Sequence, residues 1–444
     1  MGSLRNPRKI DQDNGLNRRR SYKRILALVL VTILLSCIAS FAAVEVWPSF
    51  GARVADGMRK IVGPQPVAQL ESVVFQVQDT VKRWQYRWGG EEAEAPWENN
   101  VNPLKLTSTA QDLFEETIVP SELTIPTPNV TKTPDFVDPV KDLQEQPTVS
   151  VASPTPTPTP TLSVWQLSPL LPFGSMEGEG IWIPYLHDQD GEVVAVRTFL
   201  QPDPERPYTI VAVVAIDLTR TQLHFVLGFD EPSLPDGPTG DGLIPDEDRE
   251  AGVLLAAFNG GFRAANGHFG AMANNIEALP PIDEMATIGI YRDGAVWIGN
   301  WGEDITDTLD LLAWRQNCRL IIQNGEISPR VYNDSIVDWG ASISNNIVTR
   351  RSAIGLDQEA QTLYYFAGPG LSMPVLADVM LATGVHQGML LDINNFWVHF
   401  SAIHSIEGEL IAEPLLPKDM YDQTDRFLGP FAADFFYVTL LEDH

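Results

Sequence analysis

Polar residues that could do chemistry gather at the ends of apolar runs in this chain. The densest group follows Gln387–Leu391, where Asp392, Asn394, Asn395, Trp397 and His399 fall within eight residues. A second follows the run Val253–Phe258, which ends in Asn259-Gly260-Gly261, with His268 a few residues on. Arg351 stands at the head of a third, Ser352–Leu356. An amide at a strand end is placed to hydrogen-bond a ligand, and paired glycines let a backbone take positive φ or approach closely. Each residue also has a plainer reading. Asn259 and Asp392 suit Asx turns, Arg351 suits a surface ion pair, Trp397 suits a core, and a lone His268 or His399 suits a structural or solvent-facing place.

The elements that would position these groups are mostly strands. Ser352–Leu356 and Gln361–Phe366 read as buried strands joined by a polar turn at Asp357–Ala360, after which Gly368-Pro369-Gly370 breaks the chain. Ser372 is an N-cap with Pro374 in the first turn, Val375, Leu376, Val379 and Met380 recur at helical spacing, and Gly384 closes the helix. Strand, helix, strand and a polar cluster is one arrangement by which α/β folds build sites. Upstream, Trp182–Leu186, Val193–Leu200 and Tyr208–Leu218 read as strands, with Gln222–Leu227 as a hairpin partner of the last. Met285–Trp301 is a hairpin around Asp293-Gly294, Leu309–Asn317 a short amphipathic helix, Arg319–Gln323 a strand closed by Asn324-Gly325, and Phe431–Leu441 a last strand. The pattern predicts an α+β domain, a mixed but mostly antiparallel sheet with few helices, over residues 163–444.

The preceding third has a different composition. Residues 1–24 are a basic tail, expected in the cytoplasm. Ile25–Val44 carries no charge over 20 residues, long enough for one transmembrane helix, and the arginines before it orient the N-terminus inward. A cleaved signal peptide is the alternative, though the run exceeds a usual h-region. Residues 45–88 form a juxtamembrane segment. Within it, Pro66–Trp88 places Leu70, Val73, Val74, Val77, Val81 and Trp84 at intervals of three and four, which makes an amphipathic helix. That helix is either a spacer over the membrane or a surface for homo-oligomers through residues 66–88. Residues 89–162 are acidic and then rich in Pro and Thr, an extended stalk. The expected location is the cell membrane, single-pass, with the C-terminal domain outside the cytoplasm.

Charge and cysteine content narrow the chemistry. The net charge is −28, and beyond the tail 22 basic residues face 56 acidic ones, which excludes nucleic acid as a partner. Two cysteines, Cys37 and Cys318, leave the exported domain to be held by its core. No nucleotide-binding glycine motif occurs, so no organic cofactor is expected; no ligand spacing calls for a metal, although the chemistry below would admit a divalent cation. The acidic loop Pro235–Asp248 fits no EF-hand spacing.

Four landmarks in order resemble the phosphodiester glycosidase family: Asn259-Gly260-Gly261-Phe262, Leu320–Gly325, Arg351-Ser352-Ala353-Ile354-Gly355, and Gly370-Leu371-Ser372 through to Leu390-Leu391-Asp392. The resemblance spans roughly Ile210 to Leu440. Where the family has an Asp followed by glycines and a serine, this chain has Asp392 followed by Ile393, Asn394, Asn395 and Phe396. The resemblance implies hydrolysis of a sugar-1-phosphodiester in a glycan or polysaccharide, with a carboxylate as base or nucleophile at an oxocarbenium-like carbon. It implies Asp392 as that carboxylate and Arg351 as a phosphate clamp. Asn259, Gly260, Gly261, Asn394 and Asn395 would bind substrate oxygens, His268 or His399 would serve as acid, and Trp397 would stack on a sugar. The departure after Asp392 leaves a second expectation beside the enzyme: a non-catalytic surface module that keeps the fold and binds polysaccharide or takes part in envelope assembly.

Overall fold

In the computed structural model the described residues are 61–89, 167–333 and 346–441, with shorter pieces at 54, 57–59, 94–97, 165 and 339. The tail, the apolar run Ile25–Val44 and nearly all of the stalk lie outside them. No helix among the described residues is long and apolar enough to cross a membrane. The described residues from 54 to 97 and from 168 to 441 belong to one compact unit.

Three antiparallel sheets occur among them. The largest runs in the order β1 (Ile183–His187), β2 (Val193–Leu200), β3 (Val211–Asp217), β14 (Thr362–Leu371), β13 (Thr349–Leu356), β15 (Gln387–Leu390), β11 (Leu320–Gln323) and β12 (Glu326–Ile327). The second holds β17 (Glu409–Pro414), β16 (Phe400–Ile406), β5 (Leu254–Asn259), β18 (Phe435–Leu440) and β4 (Thr221–Val226). The third holds β7 (Ile276–Leu279), β6 (Ala271–Ala273), β10 (Leu311–Gln316), β8 (Ala286–Tyr291) and β9 (Val296–Asn300). One core joins all three, with Val214, Ile354 and Tyr365 from the first, Phe258, Phe400 and Phe436 from the second, and Ile288 and Ile298 from the third. The described elements are thus mostly β and antiparallel, with few helices, as the hydrophobic patterning predicts.

Three local expectations are corrected. Leu309–Asn317 is not a helix: β10 lies between β6 and β8, so partners on both sides take its backbone hydrogen bonds and override its helical spacing. Residues 222–227 are a strand, but β3 is already flanked by β2 and β14, so β4 crosses to the second sheet and pairs with β18. Gly368-Pro369-Gly370 does not break the chain. β14 continues through it to Leu371 beside a register shift in β13, and a Cβ on Gly368 would lie 2.5 Å from the Ile210 carbonyl oxygen.

The crossover after β14 has its expected parts. Ser372 Oγ accepts from Val375 N at the start of helix α2 (Met373–Ala382). At its end Gly384 takes φ +83°, with Gly384 N bonding Leu381 O and Val385 N bonding Met380 O, a Schellman closure. The chain returns as β15 with β13 inserted between it and β14. Ser352 N donates to Asp392 O and Leu391 N to Ser352 O, so the ladder holds Asp392 at the strand end.

The N-terminal helix α1 is Pro64–Arg87. Its inward side meets the domain through Arg206, which grips both oxygens of Asp79 at 2.6 and 2.8 Å. Tyr86 packs on Tyr208 with ring centres 5.3 Å apart.

Candidate active site

The segment after β15, the end of β5 and the approach to β18 meet around one small recess. Asn259, Gly260, Gly261, Arg263, Asp392, Trp397, Phe431, Ala433 and Asp434 line it. Beside it lies a pocket of about 70 Å³ lined by Arg263, Asn266, Thr349, Asp392, Ile393, Asn394 and Trp397, with Arg59, Glu71, Ser72 and Phe75 of the N-terminal segment along another side. A larger hollow of about 560 Å³ adjoins it under α1, sharing Phe75 and Thr349, with Arg350, Asn395, Tyr208 and Tyr421 in its wall.

Asp392 is buried, and its Oδ1 accepts from Ile393 N at 2.6 Å and Asn394 N at 2.8 Å. The turn-capping reading is therefore realised. Oδ2 has no protein partner among the described residues. Burial pushes this carboxyl up to about 7; the two backbone donors and Arg263 pull it down, and Asp434 pushes it further up. Near neutral pH it exchanges its proton readily, as acid–base and nucleophilic roles demand.

Asp434 supplies a second carboxylate that sequence reasoning missed. Its Oδ2 accepts from Arg315 Nε at 2.7 Å and Gly261 N at 3.1 Å, while Oδ1 has no protein partner among the described residues. Arg315 is fully buried and also donates to the carbonyls of Phe269, Gln316 and Phe262. The Gly260-Gly261 pair follows from this packing. Neither residue takes a positive φ; a Cβ on Gly260 would stand 2.1 Å from Asp434 Oδ2, and one on Gly261 2.9 Å from Arg315 Cζ. The glycines serve close approach, not a turn.

Arg263, the residue after the Asn259–Phe262 landmark, is the cation that reaches both recesses. Its Nε donates to Glu231 Oε1 at 3.0 Å, and its Cζ lies 5.8 Å from the centre of the Trp397 ring. Burial raises the Glu231 carboxyl above its ordinary range, against the pull of Arg263 and of Ala264 N. A guanidinium fixed by a carboxylate beside a cavity is suited to holding an anionic oxygen.

The expected site residues divide accordingly. Asp392, Asn394, Trp397, Gly260 and Gly261 meet at the recesses. Asn259 lines one too, but its side chain is committed: Nδ2 donates to Ser352 Oγ and Gly260 O, and Oδ1 accepts from Tyr365 Oη and His399 N. It orients the site rather than a ligand. Asn395 borders the larger hollow, where its carbonyl accepts from Arg350.

Arg351 does not fit the clamp role. It is wholly buried and donates to the carbonyls of Leu371 and Ile347, and burial lowers its guanidinium to about 10. Strand alternation points it away from the Ser352 face that meets Asp392. His399 is buried against Phe427 and borders neither recess; burial and the neighbouring Arg426 and Arg350 keep it well below the ordinary histidine range, hence neutral. His268 is exposed in a turn with φ +54°, also outside both recesses. Neither histidine is placed as an acid at Asp392. No group of three or more His, Cys, Asp or Glu suited to a metal ion occurs among the described residues.

Asp434 and Arg315 left one trace in the sequence, a charge inside an apolar run: FAADFF and LLAWRQ. A lone charge there needs a partner, and the two are each other's.

No family model matches the chain, and neither does any curated protein. Among solved structures it bears a distant resemblance to the zebrafish N-acetylglucosamine-1-phosphodiester alpha-N-acetylglucosaminidase catalytic domain auto-inhibited by its pro-peptide. Identity is 16% over 58% of this chain and 86% of that one, with a TM-score of 0.36. A hypothetical protein from Synechocystis aligns at 11% identity over 52% of this chain and 59% of its own, TM-score 0.34. A putative exported protein from Burkholderia pseudomallei aligns at 12% identity over 53% and 74%, TM-score 0.25.

Proposed function

We propose that this chain is a hydrolase of the phosphodiester glycosidase type, cleaving a sugar-1-phosphodiester in a glycan or polysaccharide outside the membrane that Ile25–Val44 would span. The observation that carries this reading is Asp392: a carboxyl poised near pH 7, with one oxygen unengaged among the described residues, sharing its recess with Arg263 and Asp434. Asp392, ionised, acts as nucleophile or as base for water at the anomeric carbon. The bond from that carbon to the phosphate oxygen breaks, and the phosphate leaves with the electron pair and little need of a proton. Arg263 replaces Arg351 as the group that offsets its charge. Trp397 walls the sugar side.

The test is release of sugar from a panel of sugar-1-phosphodiesters, with Asp392→Asn and Arg263→Ala in parallel. Release abolished by the first and weakened by the second supports the reading; release that ignores Asp392→Asn sinks it. A second reading, a polysaccharide-binding module without catalysis, is favoured by Asp392 Oδ1 capping its own turn. Saturable glycan binding without release, weakened by Arg263→Ala, would establish it instead.

A further inference from the structure

α1 turns its two sides to opposite uses. Phe75, Asp79 and Tyr86 face the domain, while Leu70, Val73, Val77, Val81 and Trp84, with Trp88 just beyond, are 40–74% exposed. They form one stripe along about four turns, the reverse of how an amphipathic helix packs on its own domain. An apolar stripe left in water on a helix whose polar side is already docked marks a binding surface.

The charges beside the stripe identify the occupant. Glu71 and Asp79 are half-buried on the inward side, Arg83 pairs with Glu205 of the domain at 3.4 Å, and Arg87 is exposed at the stripe's flank. Among the described exposed residues of α1 the remaining polar ones are Gln69, Gln76, Thr80 and Gln85, and none is acidic. In a chain of net charge −28 this face sets a cation beside apolar groups with no acid among its described exposed residues. A second copy laid alongside in parallel would set its Arg87 near the same arginine; an anionic lipid surface complements it. Paired tryptophans at one end suit the headgroup boundary. Nineteen residues separate Pro64 from the uncharged run Ile25–Val44, whose expected span would bring a bilayer within reach of the helix.

We infer that α1 lies in the plane of an anionic membrane surface, its stripe from Leu70 to Trp88 set into the headgroup boundary and Arg87 paired with a lipid phosphate. This is independent of the catalytic reading.

The full-length chain is reconstituted into phosphatidylcholine vesicles with and without phosphatidylglycerol. It carries an environment-sensitive fluorophore on Val77→Cys in a Cys37→Ser background; Cys318 is fully buried. Glu359→Cys, in the exposed turn between β13 and β14, is the control. Quenching by acyl-chain bromine at position 77 and not at 359, stronger with phosphatidylglycerol and weakened in Arg87→Glu, is expected, with circular dichroism unchanged. Quenching by aqueous iodide at 77 in both vesicles would overturn the inference. So would bromine quenching indifferent to lipid charge and to Arg87→Glu. Self-quenching that grows with the protein-to-lipid ratio, without bromine quenching, would assign the stripe to a second copy instead.

Discussion

The amide of Asn259, at the end of β5, donates a 3.0 Å hydrogen bond to the hydroxyl of Ser352 in β13, joining two sheets beneath Asp392. Ser352 Oγ in turn accepts from Asp392 N at 3.2 Å. Asn259→Leu would leave Ser352, Tyr365 Oη and His399 N without this partner. Each unsatisfied buried group costs about 1–3 kcal/mol, so urea denaturation should show a loss of several kcal/mol. Because Asn259 acts through Ser352, kcat should fall with little change in KM.

Asp392→Asn keeps the two turn bonds and removes the charge. The folded-state carboxyl, at about 7, lies above the ordinary 3.8. The folded protein therefore holds a proton that the unfolded chain has released, and this residue's contribution to stability declines as pH rises from about 4 to 7, then levels off. The Asn variant should be more stable than the parent above pH 7, on the order of 2–4 kcal/mol, with a flatter pH slope below it. Denaturation midpoints across pH 4–8 measure both.

The same value fixes the pH–rate profile. If ionised Asp392 is the base or nucleophile, kcat/KM rises roughly tenfold per pH unit up to about 7 and reaches a plateau above it. Decline above 7 would make the protonated form the active one.

The two arginines should separate cleanly. Arg263→Ala should raise KM for an anionic substrate and also cost about 1–3 kcal/mol of stability, since it leaves the mostly buried Glu231 without its cation. Arg351→Met should lower stability and leave KM alone.

Arg315→Leu strands Asp434 with a buried charge and should cost about 3–5 kcal/mol, whereas Arg315→Leu/Asp434→Leu should recover much of that loss. Thermal unfolding of the two variants decides it.

Much of the β framework was legible because its patterning is strong: the Asp293-Gly294 hairpin, the Ser372 cap and the Gly384 closure each depend on residues within a few positions. Leu309–Asn317 misled because its apolar spacing suits a helix, and only its neighbours β6 and β8 make it a strand. Asp392 could be singled out at a strand end. Its partners could not, since Arg263, Asp434 and Glu231 come from three distant segments that only the fold brings together. Arg351 misled for a different reason: nothing local distinguishes it from Arg350.

That last pair carries a consequence. Arg350 reaches the carbonyls of Asn395 and Asp419 on the Ser352 side of β13, while Arg351 reaches Leu371 and Ile347 on the other. From Arg350 to Leu356 the strand works as a parity rule, in which even positions look to the Asp392 side and odd positions away from it, while Thr349, across the register shift, borders the Asp392 recess. Deleting a single residue between Ile347 and Arg350 would set the ladder a choice. Keeping its pairing preserves Ser352 under Asp392, and following the displaced chain inverts every position and seats a guanidinium where the hydroxyl had been. Two identical side chains are thus told apart by counting alone.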